Sequence, residues 1–118
     1  MNNNILKNKF TNYINEKRQD IILNIIDYIN KQEKEVNNEE LKNDIDFVLD
    51  HITSDGLDLL DNVEFNNYEE VFEFVNVIGI VKLYVNVNTS KYGCYFFIEV
   101  STVKKEQERE KIGITVIC

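Results

Sequence analysis

Apolar and polar residues recur with different rhythms along this chain, and each rhythm predicts an element. Leu6, Phe10, Tyr13 and Ile14 carry the three- and four-residue spacing of one helical face. The stripe then closes around the axis. Ile21, Ile22, Leu23, Ile25, Ile26, Tyr28 and Ile29 leave only Asn24, Asp27 and Asn30 as polar relief. A helix apolar on nearly every side is buried on most of them. With the Asn2–Asn4 cluster as its start, the first helix is expected over about residues 5–34, and the charged run Glu16-Lys17-Arg18-Gln19 marks a candidate bend or exposed turn. Either this helix threads the centre of the domain, or Ile22 and Ile26 face another chain.

Asn37 or Asn38 can cap a second helix, expected over about 38–53, with Glu39 and Glu40 in its first turn against the helix dipole. Leu41, Ile45, Val48, Leu49 and Ile52 fall within about 100° of arc, and Glu39, Asn43, Asp46 and Asp50 lie opposite. Ser54-Asp55-Gly56 ends it, and Leu57, Leu59 and Leu60 suggest a helical turn or an ordered loop. Residues 67–75 admit two readings. Tyr68, Val71, Phe72 and Val75 fit a helix capped by Asn67, whereas the Phe72–Phe74 alternation fits a strand; the helix is the favoured reading.

The last third is β. From Val81 to Asn88 apolar residues hold the odd positions, giving a strand over about 77–88. A turn around Asn88–Gly93 leads to a return strand at 94–103. Lys104–Lys111 is a charged connection, and a final strand spans 112–117. The expectation is a single α+β domain over 1–118, with two or three N-terminal helices on one face of a three-stranded antiparallel sheet. Register turns Val81, Leu83, Val85, Val87, Phe96, Ile98, Val100, Ile112, Ile114 and Val116 toward the helices. Lys82, Tyr84, Asn86, Tyr95, Phe97, Glu99, Thr115 and Ile117 then take the other face. Three aromatics there, Tyr84, Tyr95 and Phe97, form a candidate apolar interface together with Ile22 and Ile26, unless helix 1 or the 104–111 segment covers them.

Composition narrows the class. The chain has no Ala, Pro or Trp but fifteen Ile and seventeen Asn, a bias that AT-rich coding produces, pointing to an AT-rich bacterium, its phage or a mobile element. Cys94 and Cys118 have neither ligand spacing nor a framework, which argues against structural disulfides and zinc. The N-terminus lacks a signal-peptide pattern and no apolar run approaches about 18 residues, so the expected location is the cytoplasm of a bacterial host cell.

The candidate chemistry is sparse. His51 with Asp50 and Asp55 is a single imidazole with no cysteine near in sequence, better read as a helix-end ion pair than as a metal site. Glu69-Glu70 with Glu73, or Asp58 with Asp61, could form carboxylate pairs but read as a solvated face. Ser54, Ser90 and Ser101 lack a nucleophile context, and the four glycines are scattered. The sheet aromatics resemble an RNA-stacking platform, yet such platforms sit in a basic field. No cofactor, no metal and no enzymatic activity are expected.

Charge supplies what function the sequence suggests. Between Asn43 and Val81 there is no Lys or Arg, while Asp44, Asp46, Asp50, Asp55, Asp58, Asp61, Glu64, Glu69, Glu70 and Glu73 contribute ten negative charges. The remaining segments nearly balance, and the net charge is −8. If 44–61 were helical, its six acids would spread over about 27 Å, one per ~4.5 Å, against about one per 1.7 Å for duplex DNA. A phosphate ladder is not imitated. A patch led by Asp46, Asp50, Asp55, Asp58, Asp61, Glu64, Glu69, Glu70 and Glu73 suits docking on a basic protein, with no direct nucleic-acid or membrane contact. The leading expectation is a small acidic inhibitor that blocks the nucleic-acid groove of its partner, of the phage anti-defence, anti-CRISPR kind. Two alternatives are an immunity protein neutralising a basic toxin and an acidic chaperone or adaptor, dimeric through Ile22, Ile26 and the sheet aromatics. A homodimer is also expected from the all-round apolar stretch Ile21–Ile29.

Overall fold

The computed structural model describes residues 3–32, 36–54, 68–76, 79–90 and 93–116. Two helices, α1 (Asn3–Gln32) and α2 (Asn38–Ser54), precede four strands: β1 (Tyr68–Asn76), β2 (Gly79–Ser90), β3 (Gly93–Thr102) and β4 (Glu110–Val116). The strands form one antiparallel meander in the order β1-β2-β3-β4. The α+β class expected from the sequence holds: among the described residues there are two helices, within the two or three expected, and four strands rather than three.

The extra strand is the segment 67–75, for which the sequence favoured a helix. The helical stripe Tyr68-Val71-Phe72-Val75 does not act as one face. Phe72 and Phe74 are buried, while Val71 and Val75 are exposed, which is strand periodicity. Pairing decides the matter. Asn76 lies opposite Gly79 across a connection of two residues, and every residue of β1 finds a partner on β2. Gly79 adopts φ 112°, a conformation that a residue with a side chain takes only under strain. Its presence makes the tight hairpin accessible, and the hairpin overrides the local helical spacing.

α2 begins where a polar side chain dictates. Asn37 Oδ1 accepts hydrogen bonds from the backbone N–H of Glu39 and of Glu40, both at 3.1 Å, so Asn37 is the cap of α2. Leu41, Ile45, Val48, Leu49 and Ile52 are all buried, as their arc predicts. α1 runs without a break through Glu16–Gln19, where Glu16, Lys17 and Gln19 are exposed. Arg18 explains why a charged run survives in this helix: it reaches across to α2.

The core is the space between the helices and the inner face of the sheet. Phe10, Ile14, Ile21, Ile22, Ile25, Ile26 and Ile29 of α1 meet the α2 stripe and the inward residues of all four strands. Val81, Leu83, Val85, Val87, Phe96, Ile98 and Val100 face inward, as their alternation predicts. The rings of Phe10 and Phe96 lie 4.3 Å apart and fix α1 over β3.

β4 departs from the expected alternation. Ile98 pairs with Gly113 and Glu99 with Lys111, leaving Ile112 as the extra residue of a bulge. Beyond it the register slips by one, so Ile114 pairs with outward Phe97 and Thr115 with inward Phe96. Ile112 is buried in the core as expected, whereas the expected continuation through Ile114 and Val116 assumed the unbroken register that the bulge shifts. The reason for a glycine here is steric: a Cβ at 113 would collide with the hydroxyl of Tyr13 on α1. Burial also pushes the Tyr13 phenol above its ordinary pKa.

Gly113→Ala should therefore lower stability by about 1–3 kcal/mol through overpacking. Because the clashing atom is the phenol oxygen, Tyr13→Phe in the same chain should recover most of the loss. Thermal melts of the two single variants and the double variant check this; a double variant no better than Gly113→Ala would place the strain elsewhere.

Candidate functional site

The stretch that lacks a base in sequence does not lack one in space. Asp46 and Asp50 stand one turn apart on α2, where two like charges would repel. Arg18 of α1 bridges them, its Nη1 donating to Asp46 Oδ1 at 2.7 Å and its Nη2 lying 2.9 Å from Asp50 Oδ1. The same guanidinium reaches the Asp46 carbonyl oxygen at 3.3 Å and Asn15 Oδ1 at 3.1 Å. Burial alone would lower the Arg18 pKa; the hydrogen bond to Asp46 and the field of Asp50 outweigh it and hold the group above its ordinary value. Asp44 accepts from Asn76 Nδ2 at 3.0 Å, which ties α2 to β1.

The glutamates of β1 are answered in the same way. Strand geometry puts Glu69 and Glu73 on the outer face with Val71 between them and sends Glu70 inward. The three carboxylates therefore do not converge as a catalytic pair would. Arg109 Nη1 donates to Glu69 Oε2 at 2.7 Å and lies 3.8 Å from Glu99. Lys82 lies 2.6 Å from Glu106 and 3.8 Å from Glu73. Burial pushes Glu70 upward in pKa against the pull of His51 at the end of α2. The rings of His51 and Phe72 pack nearly perpendicular, 5.8 Å between centroids. Asp55, Asp58, Asp61 and Glu64 lie outside the described residues, so the sequence-predicted patch is represented here by Asp46, Asp50, Glu69, Glu70 and Glu73.

The outer face of the sheet is covered in part, over Tyr84, by the chain's own C-terminal connection, one of the two possibilities that the sequence left open. Tyr84 is only 4% exposed. Its hydroxyl pairs with Ser101 Oγ at 2.8 Å, and the guanidinium of Arg109 lies 3.7 Å above its ring. Asn86 donates to the Tyr84 carbonyl and to Glu99 Oε1, each at 3.2 Å. Lys111 Nζ sits 4.4 Å over the ring of Phe97, which is half-buried, as is Tyr95. The Lys82–Glu106 pair anchors the 103–109 segment across β2. Between that segment and the strands lies an open cavity of about 680 Å³ bordered by Glu69, Lys82, Tyr84, Glu99, Glu106 and Arg109.

This changes the status of the apolar interface expected from the sequence. Ile22 and Ile26 are buried inside the chain against the sheet and α2, and Tyr84 is buried beneath Arg109. They stabilise the fold and offer no surface to a second molecule. Among the described residues, the exposed large apolar ones are others: Leu23 on α1, Phe47 on α2, Val71 and Val75 on β1, Ile80 on β2 and Val103 after β3. Arg18 and Arg109, the two residues that organise the acids, were missed by reading charge segment by segment. Their signal was rarity, since the chain has only two arginines among its thirteen bases.

Among the described residues no group of three or more His, Cys, Asp or Glu side chains is placed to hold a metal ion. Ser101 is bonded to Tyr84, and Ser54 Oγ donates to the His51 carbonyl oxygen at 3.4 Å, which leaves neither in a nucleophile–base pair. No described helix is long and apolar enough to cross a membrane. What the surface does present is the outer side of α2, where Glu39, Glu40 and Asp50 are exposed and Asp46 is half-buried.

Removing Arg18 tests the bridge. Arg18→Ala should cost about 1 kcal/mol, since it leaves Asp46 and Asp50 in mutual repulsion, and the loss should shrink at high salt. Adding Asp50→Asn should restore part of the melting temperature; equal loss in the single and double variants would mean that the Arg18 stem, not its charge, carries the effect. No protein-family model matches the chain, and no curated protein or solved structure matches it either.

Proposed function

We propose that the protein is a non-enzymatic inhibitor whose acidic surface docks on a basic protein and blocks the groove where that partner holds nucleic acid. The observation that carries this reading is the split character of α2. One side is wholly buried through Leu41, Ile45, Val48, Leu49 and Ile52, and the other turns Glu39, Glu40, Asp46 and Asp50 outward. A rigid helix that is held by its apolar side and displays carboxylates on the other suits electrostatic docking, because the charges are fixed before the encounter. With a net charge of −8, long-range steering would speed association at low salt. The size, the acidity and the AT-rich coding bias fit an anti-defence protein of a phage or mobile element, in a bacterial cytoplasm.

The internal pairing of Asp46, Asp50, Glu69 and Glu73 refines the reading. Those carboxylates would approach a partner with a cation already beside them, so their net attraction is reduced, and Glu39 and Glu40 at the start of α2 take the larger share.

The test uses the tagged full chain to capture its partner from host cells, followed by nucleic-acid binding by the captured protein. The inhibitor reading expects a basic partner that loses nucleic-acid binding as the chain is added. The variant Glu39→Gln/Glu40→Gln/Asp50→Asn should bind it at least about tenfold more weakly at low salt while keeping its circular dichroism. A captured protein that still binds nucleic acid when saturated would overturn the inhibition, and undiminished capture by the triple variant would overturn the acidic docking.

A further inference from the structure

β1 is an edge strand, and no described strand lies on its outer side. Beside it stand the most exposed large apolar residues of this region: Phe47 on α2 at 75%, Val75 at 74% and Val71 at 43%. A cavity of about 540 Å³, bordered by Phe47, His51, Val71, Phe72 and Phe74, follows the same edge. A long edge of this kind is a template for another strand.

The hydrogen-bond pattern restricts what can join it. Asn76 and Gly79 close a hairpin with a two-residue connection, and such a closing pair exchanges its hydrogen bonds. Alternation then turns the backbone groups of Phe72 and Phe74 toward β2. Those of Glu69, Val71, Glu73 and Val75 point outward. Opposed residues of an antiparallel pair must be of the same kind, so a two-fold axis relating two β1 strands must pass through a residue, not between two.

Charge selects among those registers. An axis through Val71 sets Glu69 opposite Glu73, and an axis through Glu69, Glu70 or Glu73 sets that glutamate opposite itself. An axis through Phe74 avoids this but shortens the overlap. An axis through Phe72 uses all nine residues of β1 and opposes no two glutamates: Glu69 meets Val75, Glu70 meets Phe74, Val71 meets Glu73 and Phe72 meets its own copy. Like charges directly opposite are destabilising, and an aromatic pair on the axis is favourable.

We infer that two copies of this chain pair antiparallel through β1, with the two-fold axis at Phe72, to form one eight-stranded sheet. A second copy is favoured over a basic strand from another protein because Glu69 and Glu73 already carry Arg109 and Lys82 beside them. A basic ligand would find those charges answered, whereas a self-pair needs them muted. The exposed Phe47 ring and the groove beside it come to lie at the interface.

Sedimentation of the full chain at rising concentration tests this, and the expected species has twice the 13.9 kDa chain mass. Val75→Glu places a glutamate opposite Glu69 twice per dimer and should raise the dissociation constant at least about tenfold. Val75→Lys should leave the dimer intact or tighten it. Val71→Pro removes an outward N–H and should give a monomer, since edge strands accept proline. Should Val71→Pro fail to fold, Val75→Glu still decides, because that side chain is exposed in the single chain. Three outcomes overturn the pairing: a wild-type chain that stays monomeric at high micromolar concentration, a dimer indifferent to Val75→Glu, or a monomer whose β1 amides are protected from hydrogen exchange by an alternating Lys-Val peptide.

Discussion

The inner face of the sheet sets the terms for the rest of the molecule. Val81, Leu83, Val85 and Val87 on β2, with Phe96, Ile98 and Val100 on β3, form one continuous apolar surface. Each such side chain gains about 1.5–3 kcal/mol from leaving water, and none of it is gained unless something covers them. Two helices do so by dividing the sheet. α1 lies against β3 and β4, with Phe10 on Phe96, and α2 lies against β1. This division accounts for the odd composition of α1. Between Ile21 and Ile29 it must face the strands on one side and α2 on another, so one apolar stripe is not enough.

Much of this was legible. The α2 stripe, its cap and the alternation of β2 and β3 depend on neighbours within one or two turns or on a period of two, and sequence carries both. What was not legible depends on partners remote in the chain. Tyr68–Asn76 has apolar spacings compatible with a helix and with a strand, and its state follows from pairing with β2. The slip at Ile112 shows only in the pairing of β4 with β3, and the glycine beside it answers to Tyr13, about a hundred residues away, which leaves no room for a side chain at 113. Ile22 and Ile26 read as interfacial because a helix buried by its own domain and one buried by a second copy have the same pattern. The acids of 55–64, outside the described residues, keep the sequence reading alone.

The acidic segment shows how far a linear count of charge can mislead. Ten acids without a base suggest a bare negative field. Folding brings Arg18 to Asp46 and Asp50, Arg109 to Glu69, and Lys82 within reach of Glu73. Arginine suits the bridging positions because its fork presents parallel donors to two carboxylates at once, which an ammonium cannot do. The same Arg109 covers the Tyr84 ring, so one side chain both pairs with Glu69 of β1 and shields an aromatic on the outer face of the sheet.

Edge strands endanger a β protein because they can add partners without limit, and the charges on β1 bear on that limit. Glutamates at 69, 70 and 73 penalise most self-pairing registers while leaving one with full overlap, so they act as a filter on alignment more than as a barrier to contact. Pairing by a two-fold axis would consume β1 in both copies and leave the β4 of each copy as the two edges of the joined sheet, among the described strands. Each edge is interrupted by the bulge at Ile112, and its Lys111 and Glu110 are exposed. Bulges and charges of this kind resist a further strand. An association through β1 would therefore be closed: the two-fold axis uses up the attractive edge, and the bulge and charges of β4 keep the joined sheet from growing into a fibre.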